Sequence, residues 1–336
     1  MTPERITVVG AGAWGTTLAA LLARNGYAVR LWVRESEIVD AIRRQHENSR
    51  FLPGVTLPEN LYATADMDDA AAEATLLVMA TPSRWLRAAA RACAGALRAP
   101  VPVVSVTKGL EIETGKRMSE VILEELPHTP AIAALSGPNL APEIARGLPA
   151  ATTIASADAG LAARAQRAFS APHFRPYTGS DIVGLEVCGA MKNVIALAAG
   201  ICEGLGFGHN AAAALLTRSM AEIARLVRRL GGQPDTVAGL SGIGDLIATC
   251  MSPISRNHRV GLALGRGQDA RAALGDSGQV AEGVPTTEAV VRLARRLGVD
   301  LPICEQVYAI LFDGRPAADA VRALMTRDPK SETFLG

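Results

Sequence analysis

Apolar residues fall along this chain in two rhythms. Up to about residue 180, short apolar runs alternate with stretches of helical period. The runs cover 6–9, 29–33, 75–79, 102–106, 131–135 and 151–155, and helices are predicted over 14–25, 36–48 and 83–97, with a further helical stretch between the fourth and fifth runs. Short apolar runs separated by helices point to crossover units and a parallel sheet. Beyond Asp181 the strand-like runs stop, and helices are predicted over 181–204, 210–230, 256–264, 286–297, 302–311 and 316–325. The change of rhythm predicts an α/β domain over 1–185 and an all-helical C-terminal domain over 186–336, with 176–180 as the joint.

Composition narrows the function classes. The 336 residues carry 34 Lys+Arg against 33 Asp+Glu, so no global basic field exists to hold nucleic acid or an anionic membrane. Apolar content of 49% and charged content of 20% are those of a folded chain. The uncharged stretch 6–23 after Arg5 superficially resembles a signal peptide, but Gly10, Gly12 and Gly15 interrupt it. No other run reads as long enough to span a bilayer. Five cysteines without a C-x-x-C pair read as reduced thiols of the cytoplasm, and five scattered histidines give no metal-ligand cluster. Only Lys108, Lys116, Lys192 and Lys330 are lysine. A lysine in so arginine-rich a chain draws notice, because an ammonium can give up its proton and a guanidinium cannot.

Gly10-Ala11-Gly12-Ala13-Trp14-Gly15 fits G-x-G-x-x-G, directly after the first strand and opening a helix. That context marks a dinucleotide turn, whose backbone N–H groups meet a pyrophosphate. The first domain is therefore expected to be Rossmann-like. Arg34, at the end of the second run, can hold a 2′-phosphate and favours NADPH; alternatively Arg34 is a solvated charge and Glu35 takes the ribose. Ligand crevices of parallel sheets lie at the carboxyl ends of strands. Here those ends read Ala80-Thr81-Pro82, Thr107-Lys108-Gly109 and Ser136-Gly137-Pro138-Asn139.

The helical half offers the chemistry. Lys192-Asn193 sits in an otherwise small and apolar helix, where burial, and a nearby Lys108, would lower the amine's pKa towards general acid–base use. Asp245 and Thr249 are spaced i, i+4 and share a helix face. Ser255-Arg256-Asn257 opens a helix with donors suited to a phosphate.

With Val280-Ala281-Glu282-Gly283, Gly206-Phe207-Gly208 and Gly242-Ile243-Gly244-Asp245, these motifs follow one another in an order that resembles the NAD(P)-dependent sn-glycerol-3-phosphate dehydrogenases of the bacterial type. The resemblance runs over nearly the whole chain. It implies interconversion of dihydroxyacetone phosphate and sn-glycerol 3-phosphate for phospholipid synthesis, an active site between the two domains, NADPH or NADH as cofactor, and a homodimer; Arg34 favours NADPH, and the scattered histidines point to no metal. Carried over position by position, Lys192 is the catalytic acid–base. Lys108, Gly137, Asn139, Asp245, Ser255, Arg256 and Asn257 match substrate-binding positions; beside them, Lys192 meets substrate as the acid–base and Thr249, on the Asp245 face, orients substrate or Lys192. Trp14, Arg34, Phe51, Lys108, Ala141, Arg256, Val280 and Glu282 match cofactor contacts, beside Gly10, Gly12, Ala13 and Gly15 of the glycine turn and Pro82 at a strand end, which the residues themselves assign to the cofactor. Asn139 stands where the family commonly has Ser or Thr, and Phe51 where it often has Tyr. Two other readings of the same residues stay open: a related two-domain NADP-dependent hydroxyacid dehydrogenase or reductase, and a nicotinamide-binding sensor without turnover.

Overall fold

The structure, a computed structural model, describes residues 4–274, 281–329 and 331–332. Val280 lies outside the described residues. The chain divides into two compact units, one of residues 1–107 and 118–182, the other of residues 108–117 and 183–336. The second unit thus takes a ten-residue segment from the first half of the sequence.

The first unit runs β1 (Arg5–Val9), α1 (Ala13–Arg24), β2 (Ala28–Trp32), α2 (Ser36–Gln45), β3 (Leu61–Thr64), α3 (Met67–Ala71), β4 (Leu76–Met79), α4 (Ser83–Ala96), β5 (Val103–Ser105), α5 (Met118–Glu125), β6 (Ile132–Ser136), α6 (Ala141–Ala145), β7 (Ala150–Ala155), α7 (Ala159–Phe169) and β8 (Phe174–Gly179). The strands form one sheet in the order β3-β2-β1-β4-β5-β6-β7-β8. The chain leaves β1 towards β2 and β3, then returns to its other side at β4, so β1 borders the point where strand order reverses. Val9 pairs with both Trp32 and Met79, and Met79 with Ser105, which brings the carboxyl ends of these strands level. Helices cover both faces, so the central strands are apolar without alternation: all of Leu76–Met79 is buried.

Two expectations need correction. The sheet is not wholly parallel, because β7 runs antiparallel to β6 and β8 then runs parallel to β7. Residues 176–180 are no joint: Pro176 lies within β8, an edge strand where a missing N–H costs the ladder little.

The second unit is helical: α8 (Ile182–Gly204), α9 (His209–Arg229), a 3-10 turn Pro234–Ala238, a π-helical turn Leu240–Gly244, α10 (Asp245–Met251), α11 (Arg256–Gly265), α12 (Ala270–Leu274), α13 (Gly283–Leu297), α14 (Pro302–Phe312) and α15 (Ala317–Met325). By length and composition α8 could cross a membrane, which corrects the view that no run is long enough; 83% of its apolar window is buried inside the protein, as in a core helix. The run is easily overlooked because Glu186 and Lys192 interrupt it. Glycines set its packing against α11. A Cβ on Gly200 would stand 2.1 Å from the His258 carbonyl oxygen, and one on Gly261 would stand 2.1 Å from that of Leu197. Gly204 and Gly265 meet one turn further on. Two glycine pairs spaced i, i+4 therefore let the α8 and α11 backbones touch.

Candidate active site

In the first unit the glycine turn has the geometry a dinucleotide requires. Gly10 has φ 116°, and a Cβ there would lie 2.9 Å from the Ala80 carbonyl; a Cβ on Gly15 would lie 1.9 Å from the Gly10 oxygen. Gly12 faces open space, with nothing within 4 Å of where its Cβ would stand. It precedes α1, whose first residue is Ala13 and whose N-terminus carries no side-chain cap. Unsatisfied N–H groups in front of an open space suit a pyrophosphate.

Around the turn, Trp14 is half-buried and packs edge-on against Phe174 at 6.3 Å. The Thr17 hydroxyl donates to the carbonyls of Ala13 at 2.8 Å and Ala141 at 3.3 Å, tying the start of α6 to α1. Pro82 precedes α4 and is exposed. Helix α2 ends at Gln45, three residues before the predicted end, because His46 turns left-handed at φ 51°. The segment that follows brings Asn48 under the turn: its Nδ2 donates to the Ala11 carbonyl and to Thr16 Oγ1, both at 2.9 Å, and its Oδ1 accepts from the Phe51 N–H at 3.2 Å. Arg34 is exposed and pairs with Glu35 at 2.6 Å. Gly137 lies against Thr152, where a Cβ would meet the Thr152 Cα at 2.9 Å. Asn139 donates to Thr152 Oγ1 at 2.9 Å.

In the second unit the rare lysines converge. Lys192 Nζ donates to Asp245 Oδ1 at 2.6 Å and to Thr249 Oγ1 at 2.7 Å. Lys108 Nζ donates to the other carboxylate oxygen, Oδ2, at 2.5 Å. The side chains are 16% exposed for Lys108, 9% for Lys192 and 1% for Asp245. Two ammonium groups thus share one buried carboxylate, leaving a formal charge of +1 where few waters can screen it. Burial pushes Lys108 down to about 8, opposed by the Asp245 carboxylate and reinforced by Lys192.

Local structure explains the convergence. The π-helical turn before α10 places Asp245, and Gly242 permits that turn, because a Cβ there would fall 2.0 Å from the Val237 oxygen. Residues 108–117 form a small hairpin, closed by the Leu110–Arg117 bridge. Arg117 anchors it to buried Glu186 of α8 at 2.8 Å, and Arg296 donates to the Thr114 carbonyl at 3.0 Å.

The touching backbones of α8 and α11 build a second group. Asn257 donates to Asn193 Oδ1 at 2.9 Å and accepts from the Gly283 N–H at 2.9 Å. Asn257 is thus largely committed to holding α8, α11 and α13 together. Ser255 caps α11, accepting from the His258 N–H at 3.3 Å, which leaves its own proton to donate. Arg256 stands exposed at that helix start, in electrostatic contact with Glu282. Among the described residues, no group of three or more His, Cys, Asp or Glu could hold a metal.

Two family models account for almost all of the chain: the NAD-dependent glycerol-3-phosphate dehydrogenase N-terminus over residues 5–162, and the C-terminus of the same enzyme over residues 181–322. The chain belongs to the NAD-dependent glycerol-3-phosphate dehydrogenase family. It is 49% identical to the glycerol-3-phosphate dehydrogenase [NAD(P)+] of Geobacter metallireducens, over 98% of this chain and 99% of that one. The Geobacter sulfurreducens protein of the same name is 48% identical over the same shares. The crystal structure of glycerol-3-phosphate dehydrogenase from Coxiella burnetii superposes with a TM-score of 0.93 at 38% identity, covering 97% of this chain and 99% of that chain. Within this glycerol-3-phosphate dehydrogenase fold, motif reading overlooked Asn48, Thr17, Arg117, Glu186 and the helix-pair glycines. Only the glycines left a readable signal, the i, i+4 spacing of 200/204 and 261/265.

Proposed function

We propose that this protein reduces dihydroxyacetone phosphate to sn-glycerol 3-phosphate, reversibly, with NADPH or NADH, and so supplies glycerophospholipid synthesis. The observation that carries the reading is the Lys108–Asp245–Lys192 cluster, two amines on one buried carboxylate in a chain of this family. When bound, the reduced nicotinamide supplies a hydride to the substrate's central carbon. Lys192 gives its proton to the oxygen that gains negative charge, so the carbonyl becomes a hydroxyl. Asp245 and Thr249 hold the Lys192 amine in place, and Lys108 adds positive charge beside the developing alkoxide. The start of α11 takes the phosphate, through the Arg256 guanidinium, the Ser255 hydroxyl and Asn257. Gly137 and Asn139 contribute to substrate binding, as the family positions suggest.

Gly10, Gly12, Ala13, Trp14, Gly15, Arg34, Phe51, Pro82, Ala141 and Glu282 form the cofactor set, with Lys108 and Arg256 shared. NADPH is the favoured donor: its 2′-phosphate would compete with Glu35 for the exposed Arg34 guanidinium. The protein acts in the cytoplasm, where its five cysteines stay reduced, and as a homodimer, by analogy with the family.

The test is oxidation of NADPH and of NADH, followed by absorbance, with dihydroxyacetone phosphate as substrate. Turnover is expected with at least one of them. Tight binding of NADPH without turnover would favour a sensor, and turnover of a 2-oxo acid alone would favour a hydroxyacid dehydrogenase. Sedimentation reads the oligomeric state.

A further inference from the structure

We propose that Asn48 is a positioning residue for the dinucleotide, aiming the Gly12 N–H of the glycine turn outward at the pyrophosphate. The inference rests on the cofactor reading above. The Ala11 carbonyl and the Gly12 N–H belong to the same trans peptide unit, so they point in opposite directions. Asn48 Nδ2 donates to that carbonyl at 2.9 Å, and the Thr16 hydroxyl donates to it at 3.1 Å. With the carbonyl turned towards buried Asn48 and Thr16, the Gly12 N–H points away from them, out of the buried network; the place a Gly12 Cβ would take is open as well.

The network has no slack. Asn48 and Thr16 are fully buried, and Ala11 is 7% exposed, so water cannot replace a lost donor. The amide orientation is fixed by its partners: a carbonyl can only accept, so the group facing Ala11 is the NH₂. The second Nδ2 hydrogen goes to Thr16 Oγ1 at 2.9 Å, and Oδ1 accepts from the Phe51 N–H at 3.2 Å. The Asn48 carbonyl also accepts from the Leu52 N–H at 2.8 Å. One side chain therefore sets both the glycine turn and the turn that carries Phe51.

The experiment compares the parent with Asn48→Ala, Asn48→Asp, Thr16→Val and Thr16→Ser. The NADPH Kd is read by quenching of tryptophan fluorescence, and KM for each substrate and kcat by steady-state kinetics. Asn48→Ala should raise the NADPH Kd and KM about tenfold or more, while kcat and the KM for dihydroxyacetone phosphate change less than about threefold. Asn48→Asp keeps size and the Phe51 acceptor but loses both donors, and should weaken NADPH at least as much. Thr16→Val should cost a few-fold, and Thr16→Ser should restore the parent value. Should Asn48→Ala fail to fold, the near-isosteric Asp variant carries the test. An unchanged NADPH Kd in a folded Asn48 variant overturns the proposal, as does an equal rise in both KM values. If the parent binds NADH and not NADPH, the same comparison is read on the NADH Kd; if it binds neither, the cofactor reading fails first, and that is visible without any variant.

Discussion

Replacing Asp245 by Asn removes the negative charge that two ammonium groups share while keeping an oxygen for one hydrogen bond. At a separation of about 4 Å and an effective dielectric near 20, a pair of unit charges interacts by ~4 kcal/mol. At about 1.4 kcal/mol per pKa unit, its loss lowers the pKa of a lysine in contact by roughly two to three units. Lys108 stands at about 8 with the carboxylate present, and the carboxylate is what opposes the burial that lowers it. Asp245→Asn should therefore carry Lys108 roughly two units or more below its parent value. At about pH 7.5 only on the order of 1% of the variant would keep that charge, so kcat/KM there should fall about 100-fold. The assay is the pH profile of kcat/KM for dihydroxyacetone phosphate, which reports groups of the free enzyme. In the parent the profile should fall above about 8. In the variant the same limb should appear two or more units lower, roughly. A limb that stays near its parent position would refute the electrostatic reasoning, whatever the loss in rate.

Other outcomes follow from the same structure. Lys192→Arg keeps the charge but not a usable proton, and should lose kcat by at least about 100-fold with the NADPH Kd unchanged; near-normal turnover would remove Lys192 from the proton step. Arg34→Ala should lower kcat/KM for NADPH about tenfold and leave NADH nearly unaffected, so an unchanged NADPH/NADH ratio would remove the 2′-phosphate argument. Gly261→Ala forces a methyl against the Leu197 carbonyl and should cost about 3 kcal/mol or more by denaturant titration, whereas a cost below about 1 kcal/mol would show that the helices can part. Burial raises Glu222 to about 7, although it accepts from the Ile303 and Cys304 N–H groups. The folded state then binds this proton more tightly than the unfolded state, so stability drops by up to about 3 kcal/mol as pH rises from about 4.5 to about 7. Glu222→Gln should flatten that part of the stability profile, and an unchanged slope would contradict the burial argument.

The periodicity of the chain was enough to recover most elements because burial on both faces leaves strands such as Leu76–Met79 without a polar residue. It could not recover strand direction. Nothing in the composition of Ala150–Ala155 distinguishes an antiparallel partner from a parallel one, since direction is decided by where the chain re-enters the sheet. Leu61–Thr64 and Phe174–Gly179 were hidden for another reason: both lie at sheet edges, where Tyr62 and Tyr177 face outwards and break the apolar run. At the lysine cluster, scarcity pointed to Lys108 and Lys192 and the i, i+4 spacing to Asp245 and Thr249, and the geometry joins all four. Asn48 gave no such signal. Its importance comes from three side-chain hydrogen bonds, two of them to residues 32 and 37 positions earlier, and an isolated Asn beyond a helix reads as ordinary surface. Glu186 and Arg117 were equally silent, because pairing between residues 69 positions apart leaves no local pattern.

Residues 108–117 have a bearing on how such chains can be cut and recombined. A crossover between two relatives placed at the visible change of rhythm, near residue 182, would graft the hairpin of one parent onto the helices of another. The Lys108–Asp245 and Arg117–Glu186 contacts would then be assembled from strangers. A fragment beginning at 183 would own a carboxylate at Glu186 with no guanidinium from Arg117 to meet it. Chimeras and split versions should therefore exchange the ten-residue insert together with the C-terminal half, treating two separated stretches of gene as a single heritable cassette.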